Sequence, residues 1–284
     1  MSGNDAATVR STDRGLQTVV DLLTRQTPGI TWSIRLTTLD GRDLASHRAD
    51  ALQPTASVGK LLLLTEVARQ LESGSLSASE RLQRSPELAV ADSGVWQHLA
   101  VEALPVADLA VLVGGVSDNL ATNVLLERIG LAAVRAVGPM AGLTATRLLD
   151  RVRELRGPAD PPHLSEGSAR ELAGFMRAVR NGELLSPAVS AHLQRWLSTN
   201  VDLSMVAAPF ALDPLAHVHP DRGITLRNKT GTNTDVRADV GYVEGAGAGA
   251  SYAVLAHWDG EADQRDAAMA SMWQIGEALR ALVE

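Results

Sequence analysis

The chain has 284 residues and a formal net charge of −7 at neutral pH, a length that suits one large domain or two interleaved subdomains. The acidic balance, without basic clusters, argues against a nucleic-acid partner. The absence of cysteine excludes disulfides, zinc–thiolate sites and thiol nucleophiles.

The first elements are a helix and a hairpin. Residues 12–25 are predicted to form a helix with Thr12 as its N-cap. Its apolar stripe consists of Leu16, Val19, Val20 and Leu23. Two strand-like runs follow, Thr31–Thr38 and Asp43–Arg48, and the Asp-Gly pair between them predicts a hairpin.

From about residue 55 to 215 the pattern is helical. Its breaks are expected at Ser73-Gly74, Pro105, Gly114-Gly115, Gly138-Pro139 and Gly157-Pro158. Strand character returns at Gly223–Thr230, Arg237–Val243 and Ser251–Trp258, the last two joined by a glycine-rich hairpin tip at Gly245–Gly249. A closing helix is predicted from the spacing of Ala268, Met272, Ile275, Leu279 and Leu282.

This order predicts an α+β fold. One antiparallel sheet is expected from the N- and C-terminal strands, with the terminal helices packed on a face and an all-helical subdomain inserted between them. Within a single domain over residues 1–284, we assign 12–50 and 220–284 to the α/β subdomain and 51–219 to the insertion. The crevice between the two parts is the expected site.

Lysine is rare in this chain. Of 26 basic residues only Lys60 and Lys229 are lysines. Lys60 follows Ser57 by three positions at the start of an apolar helix, so the two side chains share a face. A serine hydroxyl becomes a nucleophile when a base takes its proton, and a desolvated lysine can be that base.

Two other interpretations of Lys60 are weaker. The apolar run Leu61–Leu64 implies burial, and a buried lysine without a role is rare. A phosphate-binding loop would need glycine where Pro54 lies and Ser or Thr where Leu61 lies.

Two further motifs accompany Ser57 and Lys60. Lys229-Thr230-Gly231 ends a strand, and Ser117-Asp118-Asn119 follows a helix break, where Ser117 alone would also suit an N-cap. Together, Ser-x-x-Lys, Ser-Asp-Asn and Lys-Thr-Gly match the signature of class A β-lactamases and penicillin-binding proteins. The sequence therefore resembles the class A β-lactamase family over about residues 12–284.

The resemblance implies four catalytic roles. Ser57 would be the nucleophile that opens a cyclic amide, and Lys60 would accept or relay its proton. Ser117 would pass a proton to the leaving nitrogen. Lys229 would orient Ser117 and supply positive potential for a substrate carboxylate.

It also implies binding roles. Asn119 would hydrogen-bond the substrate's side-chain amide. Thr230 and Thr232 would bind its carboxylate beside the approachable backbone of Gly231, and the Thr232 N–H would complete an oxyanion hole with that of Ser57. Two further candidates are Arg237, aimed at the carboxylate or an ordinary strand arginine, and Trp96, at the cleft mouth or in the core.

One family feature is missing. Class A enzymes carry a loop Glu that activates the deacylating water, and an ungapped alignment places Val152 at that position. Asp150 and Glu154 are weak substitutes, since Glu154 matches a second, structural Glu and the loop arginines would keep a nearby carboxylate ionised. Asp160 is expected in a loop turn and Glu166 in the first turn of the next helix.

These observations predict a serine hydrolase acylated at Ser57 by β-lactam-type cyclic amides, with slow or unconventional deacylation. The alternatives are a transpeptidase- or esterase-like enzyme on the same scaffold, or a sensor that binds β-lactams without turnover. The substrate would be a small molecule, and the protein is expected to be a monomer without a membrane or nucleic-acid partner.

No cofactor or metal is expected, because the pair His217 and His219 lacks the context of a metal-binding helix. As written, the N-terminus lacks a signal peptide and indicates a cytoplasmic protein. A trimmed export signal would leave the same pattern.

Overall fold

The computed structural model describes residues 3–260 and 262–284, with side-chain surroundings given from residue 15 onward. Its helices are α1 Gly3–Gln26, α2 Lys60–Ser73, α3 Val106–Val116, α4 Asn119–Ile129, α5 Leu131–Met140, α6 Ala169–Asn181, α7 Pro187–Leu197 and α8 Arg265–Val283. Its strands are β1 Thr31–Thr38, β2 Asp43–His47, β3 Gln53–Pro54, β4 Arg81–Gln83, β5 Ala103–Pro105, β6 Arg147–Leu148, β7 Ser165–Gly167, β8 Thr225–Asn233, β9 Val236–Glu244 and β10 Gly249–His257.

The main sheet joins both ends of the chain. Its order is β2-β1-β10-β9-β8, and all its neighbours are antiparallel. β1 has the predicted bounds, whereas the C-terminal strands are longer than predicted. The Asp-Gly turn is present, with Gly41 at a φ of 92° that favours glycine. The predicted α+β class and the sheet built from N- and C-terminal strands are confirmed.

Helices cover the sheet on both faces. α1 and α8 contact each other and pack on one face, where the stripe of α1 and the buried side of α8 share a hydrophobic core with the sheet. α6 packs against β10, β1 and β9 on the other face and belongs to a second core shared with α2–α5 and α7. This arrangement fits alternating side chains that are apolar on both faces of the central strands.

Residues 51–219 are mostly helical, but the expectation of an all-helical insertion was wrong in detail. Short strands form a three-stranded sheet, β3-β7-β6, and a two-stranded one, β4-β5. Each of these strands has only two or three residues, which is too short for an alternating pattern to be recognised in the sequence. The subdomain boundaries remain a prediction.

Two local predictions were wrong. Thr12 lies inside α1 instead of capping it. Gly114 and Gly115 do not break α3. They lie where no side chain fits, since a Cβ at Gly114 would come within 2.7 Å of Trp196 O and one at Gly115 within 2.8 Å of Thr199 Oγ1.

None of the helices in the described part of the chain combines the length and the apolar character that a membrane span requires.

Candidate active site

A crevice between the sheet and the helices contains Ser57. It has two lobes of about 180 and 560 Å³, and both are lined by Ser57, Asp92, Ser93, Thr232 and Asn233. The smaller lobe extends to the loop after β6. The larger extends along β8 to Ser117, Asp202 and Arg237.

Ser57 lies in a short 3-10 turn, Ala56–Gly59, directly before α2. The edge strand β8 approaches this turn at Gly231, where a Cβ would lie 2.2 Å from Thr55 O and 3.1 Å from Ser57 N. Only glycine permits this approach. It brings β8 against the backbone N–H groups of Ser57 and Val58.

Lys60 is completely buried at the start of α2. Its Nζ donates to Ser117 O at 2.6 Å, Asn119 Oδ1 at 2.8 Å and Ser117 Oγ at 3.2 Å. Burial, followed by the charge of Lys229, holds the pKa of Lys60 well below its usual value, whereas Asp118 opposes the shift. Within the described residues, the Ser57 hydroxyl has no hydrogen-bond partner of its own.

Ser117 is the meeting point of the two lysines. Lys229 Nζ donates to Ser117 Oγ at 3.0 Å, so this one hydroxyl contacts both amines. Ser117 ends α3 in a left-handed conformation, with a φ of 54°, a strained choice for a non-glycine residue that is typical of functional positions. The N-cap of α4 is Asp118, not Ser117.

Asp118 holds this turn in place. Its Oδ1 caps α4 at Ala121 N, and its Oδ2 accepts from Val95 N and Trp96 N at 2.8 and 2.9 Å. The loop can approach so closely because Gly94 has no side chain and a φ of 116°. The middle residue of the Ser-Asp-Asn motif is therefore structural and ties α4 to the loop that carries Ser93.

Lys229 is also completely buried. Burial lowers its pKa to about 8, against the opposing charges of Asp202 and Asp239. Asp239 is buried too, and burial raises its pKa to about 7, although a hydrogen bond from Asn228 opposes the shift. Lys229 thus changes charge close to physiological pH.

The predicted binding residues fall into two groups. Thr230, Thr232 and Arg237 line the larger lobe, where Arg237 is opposite Thr232 in the β8–β9 register. Arg237 donates to Asn233 O and Val236 O and lies 5.8 Å from the Trp258 ring. Asn119 is on the smaller lobe, with its amide donating to Ala91 O at 2.9 Å.

Trp96 does not belong to the site. Its side chain is completely buried in the hydrophobic core, and its indole N–H donates to Val101 O. It has no surface with which to contact a ligand, so the cleft-mouth prediction was wrong and the core alternative describes it.

Val152 lines the smaller lobe together with Ser57. The Asn123 side chain fixes its backbone through two hydrogen bonds. Val152 N donates to Asn123 Oδ1 at 2.9 Å, and Asn123 Nδ2 donates to Val152 O at 3.0 Å. A valine therefore faces the cleft from the loop that follows β6, and an alkyl side chain cannot activate water.

Neither proposed substitute for the missing Glu lines the cleft. Asp150 is buried behind the loop, where Arg153 and Arg156 donate to it. Burial acts to raise the pKa of Asp150, but hydrogen bonds from both arginines outweigh this and lower it. Glu154 is exposed and accepts from Ala91 N at 3.1 Å, which fits its structural interpretation.

Two other acids are structural. Asp160 accepts from Gly157 N in a loop turn, as predicted. Glu166 was misplaced, because it lies in β7 and pairs with Arg147, one strand before α6 begins.

Sequence reasoning missed several lining residues. Asp92 has a φ of 73° and lines both lobes, as does Asn233. Their positions directly before Ser93-Gly94 and after Thr232 are the signal that could have found them. Among the described residues, no group of three His, Asp or Glu side chains is placed to hold a metal.

Comparison with known proteins agrees with this geometry. A model of the beta-lactamase enzyme family matches residues 14–283. The β-lactamase from Sphaerobacter thermophilus is 23% identical, with a TM-score of 0.80 over 93% of this chain and 95% of that one. An ancestral class A β-lactamase is 24% identical, with a TM-score of 0.77 over 94% and 99%.

A mutant of PBP-A, solved as an acyl-enzyme complex with penicillin G, is 23% identical, with a TM-score of 0.76 over 96% of both chains. At such identities the likeness establishes the fold. It is that of the class A β-lactamases.

Proposed function

We propose that this chain, which belongs to the beta-lactamase enzyme family, is a serine hydrolase that β-lactam-type cyclic amides acylate at Ser57 and that releases the acyl group slowly. One observation carries the proposal. Two buried lysines, Lys60 and Lys229, both contact the Ser117 hydroxyl at the edge of the cleft that contains Ser57.

Acylation uses the lowered basicity of Lys60. A buried lysine whose pKa is depressed loses its proton more readily than a solvated one, and the neutral amine takes the proton of the Ser57 hydroxyl. Ser57 Oγ then attacks the carbonyl carbon, and the amide C–N bond breaks. The proton reaches the leaving nitrogen through Ser117, whose Oγ lies 3.2 Å from Lys60 Nζ, so one ester forms as one amide opens.

Binding uses the positive end of the cleft. The developing oxyanion accepts from the N–H groups of Ser57 and Thr232, and the close approach of β8 to the Ser57 backbone at Gly231 supports this assignment. Lys229, Thr230 and Arg237 supply charge and a hydroxyl group for a substrate carboxylate.

Hydrolysis of the ester is the weak step. Val152 takes the wall position from which an acid would activate water, and Asp150 and Glu154 lie outside the cleft. Among the described residues, the carboxylates lining the cleft are Asp92 and Asp202. The acyl-enzyme of the PBP-A mutant with penicillin G supports acylation on this fold.

Val152 favours a second candidate as well. Without a water-activating acid, the acyl group of Ser57 persists long enough for transfer to another nucleophile, as in a transpeptidase- or esterase-like enzyme. A β-lactam sensor would share the stable adduct and the acylation step, and it would differ in showing no turnover.

The test combines two measurements on the intact protein. A penicillin and a chromogenic cephalosporin are added in turn, and intact mass and loss of chromophore are followed together. We expect an adduct of substrate mass within minutes and turnover slower than acylation. Adduct without turnover favours the transferase or sensor, whereas neither adduct nor turnover refutes the proposal and turns attention to linear esters.

The matched control is Ser57→Ala, with Ser93→Ala as a second cleft serine. We expect the adduct to disappear from the first variant and to persist in the second. An adduct that survives Ser57→Ala would contradict the assignment of the nucleophile.

A further inference from the structure

A second cavity shares no lining residue with the Ser57 cleft. It lies at the beginning of β8, against the ends of α6 and α7, and has a volume of about 310 Å³. Its charged walls are three guanidinium groups and one carboxylate, belonging to Arg180, Arg195, Arg227 and Glu244. The cavity is therefore electropositive in a chain that is acidic overall.

The carboxylate of Glu244 already pairs with one of the three arginines. Arg180 donates through Nε and Nη2 to both oxygens of Glu244. In the described part of the chain, the guanidinium groups of Arg195 and Arg227 have no carboxylate partner. Two positive charges thus remain for a ligand.

Arg227 is the less usual of the two, because its side chain is only 8% exposed. Its guanidinium donates to three backbone carbonyls, those of His217, Val218 and Leu226. Arginine is rarely buried without an anionic partner, since desolvating a charge is costly. Of its five N–H groups, two have no acceptor among the described residues, and these are available to an oxyanion.

Tyr242 lies directly opposite Arg227 in the β8–β9 register. It is 2% exposed, and its hydroxyl has no hydrogen-bond partner among the described residues, although the ring lines this cavity. The hydroxyl oxygen is not fully buried, so it borders accessible space and can donate to a group bound in the cavity. Burial raises the pKa of Tyr242 to about 12, so the group remains a neutral donor.

We propose that this cavity binds a small oxyanion, the carboxylate or phosphate group of a metabolite. Arg227 and Tyr242 donate to it from the sheet, and the exposed Arg195 of α7 contacts it from the solvent side. The anion supplies the counter-charge that Arg227 lacks, through charge-assisted hydrogen bonds. The site is separate from Ser57 and does not depend on the acylation chemistry.

The test is calorimetric titration of the full chain with inorganic phosphate and, separately, with succinate at constant ionic strength. Saturable binding of either supports the site, and the preferred anion distinguishes phosphate from carboxylate ligands. We expect Arg195→Gln to weaken binding by roughly tenfold, the equivalent of about 1.4 kcal/mol. Tyr242→Phe, which removes one neutral donor, should weaken it by roughly fivefold.

A control variant separates this site from general charge effects. Arg25→Gln removes an exposed charge at the end of α1, and Arg25 lines neither the cavity nor the Ser57 cleft. It should bind the anion as the unmodified protein does. The proposal is overturned if neither anion binds, or if Arg195→Gln and Tyr242→Phe bind normally.

Discussion

The Ser117 corner, where Lys60 and Lys229 contact Ser117, and the loop that follows β6 form walls in different lobes of one cleft, and they use polar groups in different ways. At the corner, two buried lysines contact one hydroxyl that opens on the cleft. In the loop, Arg153 and Arg156 donate to Asp150, which lies away from the cleft.

The difference separates two chemical steps. Acylation needs a proton relay beside Ser57, and the corner has the donors and acceptors for one. Deacylation needs a base for water, and the loop presents Val152 while its carboxylate stabilises the loop itself. The polar groups of the Ser117 corner are therefore arranged for proton transfer, whereas those of the loop stabilise the conformation of the loop.

The largest expected effect comes from exchanging each lysine for arginine. Arginine does not release its proton near neutral pH, so Lys60→Arg should slow acylation by roughly a thousandfold, the usual scale of a lost general base. Lys229→Arg keeps the positive charge and should change the rate by less than about tenfold.

Acylation rates of both variants are measured by intact mass, with thermal unfolding as a check of folding. If Lys60→Arg acylates as fast as Lys229→Arg, Lys60 is not the base.

Converting the loop wall should make the two walls more alike. Val152→Glu places a carboxylate where the valine faces the cleft, and we expect deacylation to accelerate by roughly 10- to 100-fold. The matched control is Val152→Gln, because glutamine has the size of glutamate but no basic carboxylate. Decay of the acyl-enzyme mass after removal of excess penicillin measures both, and equal decay in the two variants would contradict the role given to this wall.

Asp150 tests the structural side of the comparison. Asp150→Asn leaves Arg153 and Arg156 without their shared carboxylate and should destabilise the protein by about 2 kcal/mol, while acylation of Ser57 stays near its original rate. Asp160→Asn removes a more exposed partner of Arg153 and should cost less. Chemical denaturation gives the free energies of unfolding; a normal stability for Asp150→Asn would argue against the pairing.

The pH dependence should distinguish substrates at the corner. The pKa of Lys229 is lowered to about 8, so its ammonium is present below that pH and is lost above it. Acylation by a penicillin should fall above pH 8, by up to about tenfold per unit. The methyl ester of the same penicillin lacks the carboxylate and should show a smaller fall; identical profiles would exclude Lys229 from carboxylate binding.

Sequence alone predicted the corner better than the loop. The three motifs are short and combine rare residues, so Lys60, Ser117 and Lys229 could be placed together before the fold was known. The strands of the main sheet were predicted because their alternation and the Asp-Gly turn are local signals.

The errors have tertiary causes. Gly114 and Gly115 lie inside α3 where the Trp196 backbone and Thr199, distant in sequence, leave no room for a side chain, so these glycines reflect close packing and not a helix break. Trp96 is buried in the core, and its backbone N–H is held there by a hydrogen bond to the Asp118 carboxylate. No local pattern shows that the arginines after Val152 turn to Asp150, since that choice depends on how the loop packs.

The pairing of β1 with β10 has a consequence for biosynthesis. Thr31 is hydrogen-bond neighbour to His257, more than two hundred positions later, so the hairpin of β1 and β2 leaves the ribosome long before its partner exists. Closing such a separation costs chain entropy before any contact rewards it, which slows folding. Until β10 is synthesised, the edge of β1 that will pair with it is open to a chaperone or to a strand of another unfolded chain.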